Sequence, residues 1–128
     1  MKIKISETTK EGLSDEIRFS TEFGDARAFW AGDSPKRDCE YHVEADIEET
    51  LIWGKDIIYD DEIKGFCIKE GNDYLTIYGT LEAVDDDGYS VLRFDDSIVP
   101  FLTEGEPFAI GTYIRITLKK ITLYPVSW

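Results

Sequence analysis

Five ionisable side chains stand at every second position between residues 40 and 48, namely Glu40, His42, Glu44, Asp46 and Glu48. The odd positions from 41 to 47 are all apolar. Alternation with a period of two predicts a β-strand with one buried face and one charged face. Carboxylates on that face would be about 6.7 Å apart, two rises of ~3.3 Å each. The chemistry of such a row is recognition, because fixed carboxylates attract lysine and arginine side chains.

Catalysis by a nucleophile and a base has little support in this sequence. His42 is the only histidine, and the nearest thiol in sequence, Cys39, is three residues away. An odd separation places two side chains on opposite faces of a strand, so this pair cannot act together on one strand. No carboxylate is marked by its neighbours as buried in an apolar pocket, as general acid catalysis requires. The sequence therefore predicts a protein that is not an enzyme.

The run Asp85-Asp86-Asp87-Gly88 offers three carboxylates as candidate ligands for a cation. The run lacks the spacing and the distal glutamate of a twelve-residue calcium loop, and Asp-Gly is also typical of a hairpin turn. The two cysteines, Cys39 and Cys67, form no CxxC motif and no metal spacing. We expect no metal and no cofactor. The sequence leaves open whether Asp85–Asp87 hold a cation and whether the cysteines pair.

The charge balance favours a basic protein as the partner. The chain has 14 Lys and Arg against 27 Asp and Glu, a net charge of −13. Residues 38–62 contain ten acids and one base, so this segment contributes −9. A field of this sign repels nucleic acid and anionic membranes. Asp60 and Asp61 lie in the same segment, and we predict that they bind the partner together with the row at residues 40–48.

The chain shows no targeting pattern. Its first residues, Met1 to Ser6, have no apolar segment of the signal-peptide kind, and no apolar run approaches the ~20 residues of a membrane span. We therefore expect a cytoplasmic protein with reduced cysteines.

Short alternating segments predict a fold made of strands. The predicted strands lie at residues 2–6, 17–23, 26–30, 41–53, 74–84, 89–95 and 113–124. Turns are expected at residues 9–12 and, as a hairpin, at Asp85–Gly88. Residues 56–65 fit either a helical turn or a strand edge. Residues 97–111 hold Pro100, Pro107 and two glycines and are predicted to be a connection.

The last predicted strand changes the parity of its apolar residues. Ile114, Ile116 and Leu118 are even, whereas Ile121 and Leu123 are odd. One continuous strand would need a β-bulge at Lys119-Lys120, which would bend it. The fold class predicted is a single all-β domain over residues 1–128, a small barrel of the OB or SH3-like kind with a bent, bulged C-terminal strand. A β-sandwich is the alternative.

Three functions are compatible with these patterns. The first, which we favour, is a binding protein whose carboxylate face docks on a basic toxin or nucleic-acid-handling enzyme, as inhibitors and immunity proteins do. The second is a structural or interaction barrel whose acidity serves solubility. The third is a barrel that binds a small ligand or a metal. The identity of the partner and the oligomeric state are not indicated.

Overall fold

The computed structural model describes residues 1–8 and 16–126. Regular structure there consists of twelve strands: β1 Lys2–Thr8, β2 Glu16–Thr21, β3 Gly24–Trp30, β4 Glu40–Asp46, β5 Thr50–Ile52, β6 Ile57–Tyr59, β7 Cys67–Glu70, β8 Leu75–Val84, β9 Tyr89–Phe94, β10 Ser97–Glu104, β11 Tyr113–Leu118 and β12 Thr122–Pro125. Within these residues, no helix has the length and apolarity needed to cross a membrane. The turn predicted at residues 9–12 lies outside the described residues.

Five strands close into the first barrel, in the order β1-β2-β3-β12-β4. Pairing is antiparallel except between β12 and β3, and β4 returns to pair with β1. Side chains alternate along each strand, so Ile3, Phe19, Ala28 and Val43 point into the barrel and are buried.

The second sheet has the order β5-β10-β9-β8-β11-β6, with β7 also paired to β8. A parallel bridge between Trp53 and Ile57 brings its two ends together, so this sheet is nearly a closed barrel as well. The long strand β8 pairs with β11 along one edge and with β7 and then β9 along the other. The predicted hairpin at Asp85–Gly88 is confirmed, with Gly88 at φ +90° donating its amide to Asp85 O at 3.0 Å.

The prediction of a small all-β barrel fold is confirmed. One continuous core also joins both sheets, as the apolar pattern predicts. It contains Val43, Ala45, Ile47, Leu75, Ile77, Leu81, Ile114, Ile116, Leu118, Ile121 and Leu123, with Tyr41 packed against it.

The seam between the barrels is formed by backbone and aromatic contacts. The amide of Ile68 on β7 donates to Phe23 O, in the β2–β3 turn, at 3.0 Å. A Cβ on Gly24 would lie 2.1 Å from Ile68 O, so only glycine allows this approach. Phe23 makes edge-to-face contacts with Phe66 and Phe94, at centroid distances of 5.8 and 5.4 Å. These contacts fix one barrel against the other.

An ion-pair cluster strengthens the same seam. Oε1 of Glu70 on β7 lies 3.1 Å from Arg18 Nη1 on β2 and 3.0 Å from Arg27 Nε on β3. The Glu70 side chain is 20% exposed, and its Oε2 atom is buried without a hydrogen-bond partner among the described residues. This carboxylate therefore bridges two strands of the first barrel to the second.

The predicted bulge in the last strand is wrong. Residues 113–124 form two strands, β11 in the second sheet and β12 in the first barrel. The chain crosses from the second sheet to the first barrel at Lys119-Lys120. Because β11 and β12 then face different barrel interiors, the buried positions change from even to odd numbers. Glu49 Oε2 accepts both amides of this crossover, from Lys119 at 2.8 Å and Lys120 at 3.0 Å.

The single strand predicted at residues 41–53 is likewise divided. Strand β4 belongs to the first barrel and β5 to the second. The alternation of exposed and buried side chains continues through Ile47 to Leu51, so the pattern gave no sign of the break. Glu49 lies in this second crossover, and the two crossovers are therefore held together by its carboxylate.

Residues 97–104 are a strand, not the predicted connection. Thr103 donates its amide to Gly88 O at 2.9 Å, so odd residues of β10 bond toward β9. The nitrogen of Pro100 faces the other edge, where β5 pairs only with Leu102–Glu104. Proline is tolerated at such an open edge because no ladder bond is lost there.

Three smaller expectations are also resolved. Residues 57–59 form the short strand β6, and no helix is found between residues 56 and 65. Alternation along the predicted strand at residues 74–84 places Thr76 and Tyr78 on its outer face, but both are buried at 7% exposure, with Lys69 Nζ 5.4 Å from the Tyr78 ring centroid. Cys39 and Cys67 are both free and half-buried.

Candidate partner-binding surface

The predicted acidic row exists as an exposed face of β4. Glu40, His42, Glu44 and Asp46 are all exposed, whereas Val43 and Ala45 are buried in the core. Hydrogen-bonded neighbours on both edges, β1 and β12, hold β4 within a closed barrel. The first pairs with residues 40–42 and the second with residues 43–46, so the backbone from Glu40 to Asp46 is fixed and its carboxylates keep the strand spacing of about 6.7 Å.

One end of the row is compensated by lysines. Lys2 and Lys4 on β1 lie opposite His42 and Glu40 in the β1–β4 register. Lys2 Nζ is 3.1 Å from Glu40 Oε2, with both side chains about 60% exposed. An ion pair with this exposure contributes little to stability, but it reduces the local negative field.

The other end of the row faces a tyrosine instead of a cation. Tyr124 and Thr122 on β12 lie opposite Glu44 and Asp46. The Tyr124 hydroxyl donates to Glu44 Oε2 at 3.1 Å. Partial burial raises the pKa of Tyr124, and the hydrogen bond and charge of Glu44 add to this effect. Within residues 1–8 and 16–126, no cation lies at salt-bridge distance from Glu44, Asp46 or Glu48.

Two adjacent glutamates after β4 have different surroundings. Glu48 is exposed and continues the row beyond the end of the strand. Glu49 is half-buried and turns toward the crossover amides of Lys119 and Lys120. Of these two glutamates, only Glu48 is therefore available to a partner.

Asp60 and Asp61 lie apart from the row, after β6 of the second sheet. Asp60 Oδ2 is 3.4 Å from Arg115 Nε, and Asp60 Oδ1 accepts the Glu62 amide at 3.1 Å. Asp61 Oδ2 accepts the Tyr59 hydroxyl at 3.1 Å, and this hydrogen bond raises the pKa of Tyr59. These two predicted residues therefore follow a strand of the second sheet, whereas Glu40, His42, Glu44 and Asp46 lie on a strand of the first barrel.

A groove beside the uncompensated end of the row was missed by sequence reasoning. It has a volume of about 500 Å³ and lies between β4 and β12 of the first barrel and β10 of the second. Its lining comprises Met1, Val43, Glu44, Ala45, Asp96, Ser97, Ile98, Val99, Pro100, Tyr124 and Val126. The signal that would have found it is the alternation in β10, where Ile98 and Leu102 repeat on the exposed face.

The aspartates at the β8–β9 hairpin serve the turn. Asp87 Oδ1 accepts the Tyr89 amide at 3.1 Å, and the Asp85 amide donates to Tyr89 O at 2.8 Å. No group of three or more potential metal-ligating side chains occurs among the described residues.

Comparison of the chain with protein-family models, with curated proteins and with solved structures finds no match.

Proposed function

We propose that this protein is a non-enzymatic binding protein that docks its acidic β4 face on a basic surface of another protein. The observation that carries the proposal is the uncompensated half of the row: Glu44 and Asp46, where β4 pairs with β12, and Glu48 just beyond the end of the strand. Because the backbone is fixed before binding, little conformational entropy is lost when these carboxylates meet lysine and arginine. The net charge of −13 adds long-range attraction for a basic partner.

The partner class that suits this face best is a nucleic-acid-handling enzyme or toxin. Such an enzyme has a basic surface arranged for phosphates along a strand. Carboxylates about 6.7 Å apart are close to that phosphate spacing, so the row would occupy the phosphate sites and block substrate. The protein would thus act as an inhibitor or immunity protein in the cytoplasm.

The test is a charge reversal in the row with a matched reversal elsewhere. The immobilised protein captures basic partners at low salt, and rising salt elutes them. For a partner identified this way, the Glu44→Lys/Glu48→Lys variant should bind at least tenfold more weakly, a loss of ~1.4 kcal/mol. Its melting temperature should stay the same or rise slightly, because like charges leave the row.

The control is Asp85→Lys/Asp86→Lys at the hairpin tip, where both aspartates are exposed. It changes the net charge equally and should retain most of the affinity. If the acidity serves solubility alone, the two variants would bind equally well. A partner that binds the Glu44/Glu48 variant as tightly as the original protein would overturn the proposal.

A further inference from the structure

Exposed apolar side chains cluster around the groove between the barrels. Ile98 is 51% and Leu102 49% exposed, and both point outward from β10. Tyr89, 43% exposed, lies opposite Leu102 on β9. Apolar residues grouped in this way beside a concave surface are typical of interaction sites.

The ionisable side chains of the groove are acidic, and the one positive group in its described lining, the Met1 ammonium, donates to Val43 O at 3.0 Å. Its described lining includes the carboxylates of Glu44 and Asp96 but no Lys, Arg or His side chain. The two acids come from different barrels, with Glu44 on β4 and Asp96 in the β9–β10 turn. A ligand with an apolar centre and positively charged ends would therefore complement both the apolar side chains of the groove and its two carboxylates.

The open edge of β10 limits how a peptide can bind here. Ile98–Pro100 precede the segment that pairs with β5, so no strand is hydrogen-bonded to their outer edge. Pro100 has no amide to offer, which weakens addition of another strand at this edge. Recognition at the groove must therefore come from side chains.

We propose that the groove receives an apolar or aromatic side chain of a basic protein segment, whose flanking lysines or arginines meet Glu44 and Asp96. This inference rests on the proposed function and adds to it an apolar anchor, meaning the partner side chain that enters the groove. The carboxylates would set the association rate and its salt dependence, whereas the anchor would slow dissociation by burying apolar surface.

Two labelled peptides test the anchor, Arg-Lys-Phe-Lys-Arg and Arg-Lys-Ser-Lys-Arg, which have the same charge. Binding is measured by fluorescence anisotropy at physiological salt. The Phe peptide should bind at least tenfold more tightly than the Ser peptide. Ile98→Ser should remove most of that preference. The matched control Ile110→Ser, which changes a 65% exposed isoleucine outside the groove, should leave it intact.

The outcomes separate the two proposals. Equal binding of both peptides, weakened by Glu44→Lys/Glu48→Lys, would overturn the anchor and support the acidic face. A Phe preference that persists at full affinity in the charge-reversed variant would overturn the acidic face. The anchor also fails if neither peptide binds, or if Ile110→Ser lowers the preference as much as Ile98→Ser.

Discussion

The carboxylates at the barrel seam and those of the acidic row are the same chemical group in opposite surroundings. Glu70 contacts two arginines, and Glu49 accepts two backbone amides. Glu44 receives only a tyrosine hydroxyl, and Glu48 is exposed. The seam acids hold the barrels together, whereas the row acids are left available to another molecule.

The arginines explain this division. Four of the five arginines, Arg18, Arg27, Arg93 and Arg115, are paired with Glu70, Glu82 or Asp60. None of these acids belongs to the row. The cations with the best geometry for carboxylates are therefore used within the fold, and the negative charge of β4 is left for binding.

The largest effect on stability is expected at the seam. Glu70→Ala should lower the free energy of unfolding by about 2–3 kcal/mol, because two arginines lose their shared acceptor. Urea denaturation measures the loss. The control is Glu82→Ala, which breaks an ion pair with Arg93 whose side chains are 37–39% exposed and should cost about 0–1 kcal/mol. Equal losses in the two variants would mean that Glu70 does not join the barrels.

A smaller loss should distinguish the two adjacent glutamates. Glu49→Ala removes the acceptor of two amides and should cost about 1–2 kcal/mol. Glu48→Ala should change stability by no more than about 0.5 kcal/mol, as for an exposed surface residue. Glu49→Gln keeps an acceptor oxygen and should recover part of the loss. If Glu48→Ala were the more destabilising change, the assignment of Glu49 to the crossover would be wrong.

The smallest effect concerns Tyr124 at alkaline pH. Its folded-state pKa is raised above the ordinary value of 10.0, so the folded protein keeps a proton that the unfolded chain has lost. The stabilisation is fully present below that ordinary value and is lost as pH rises through the folded pKa. Tyr124→Phe should therefore lose less stability at alkaline pH than the original protein, as thermal denaturation would show.

Glu44→Gln sharpens this test. It removes a charge that raises the pKa of Tyr124, so one tyrosine should titrate at lower pH in the absorbance of the phenolate. An unchanged titration would show that the hydrogen bond between Tyr124 and Glu44 does not persist in solution.

The alternation of apolar and polar residues was enough to predict the all-β fold class and most of the core. It also predicted the exposed face of β4, because each odd side chain from Val43 to Ile47 is buried. It did not reveal that the chain changes barrels at 47–49 and 119–121. The reversal of parity after Leu118 was visible, but a bulge and a crossover reverse parity in the same way.

The groove and the seam could not be predicted because their parts are distant in sequence. Arg18 is 52 residues from Glu70, and Glu49 is 70 residues from Lys119. Strand β10 was also not predicted, because Pro100 argues against a strand unless its position at an open edge is known. Nothing local to residues 40–48 shows which acids will meet a cation.

The position of β12 has a consequence for synthesis. This strand lies between β3 and β4 and completes the first barrel. On the ribosome, β1 to β4 are made early, yet the barrel cannot close until residues 122–125 emerge. Until then β3 and β4 each present an unpaired edge, which is the kind of surface that aggregates. Closure of the barrel that carries the acidic face therefore follows translation of all the strands of the second sheet.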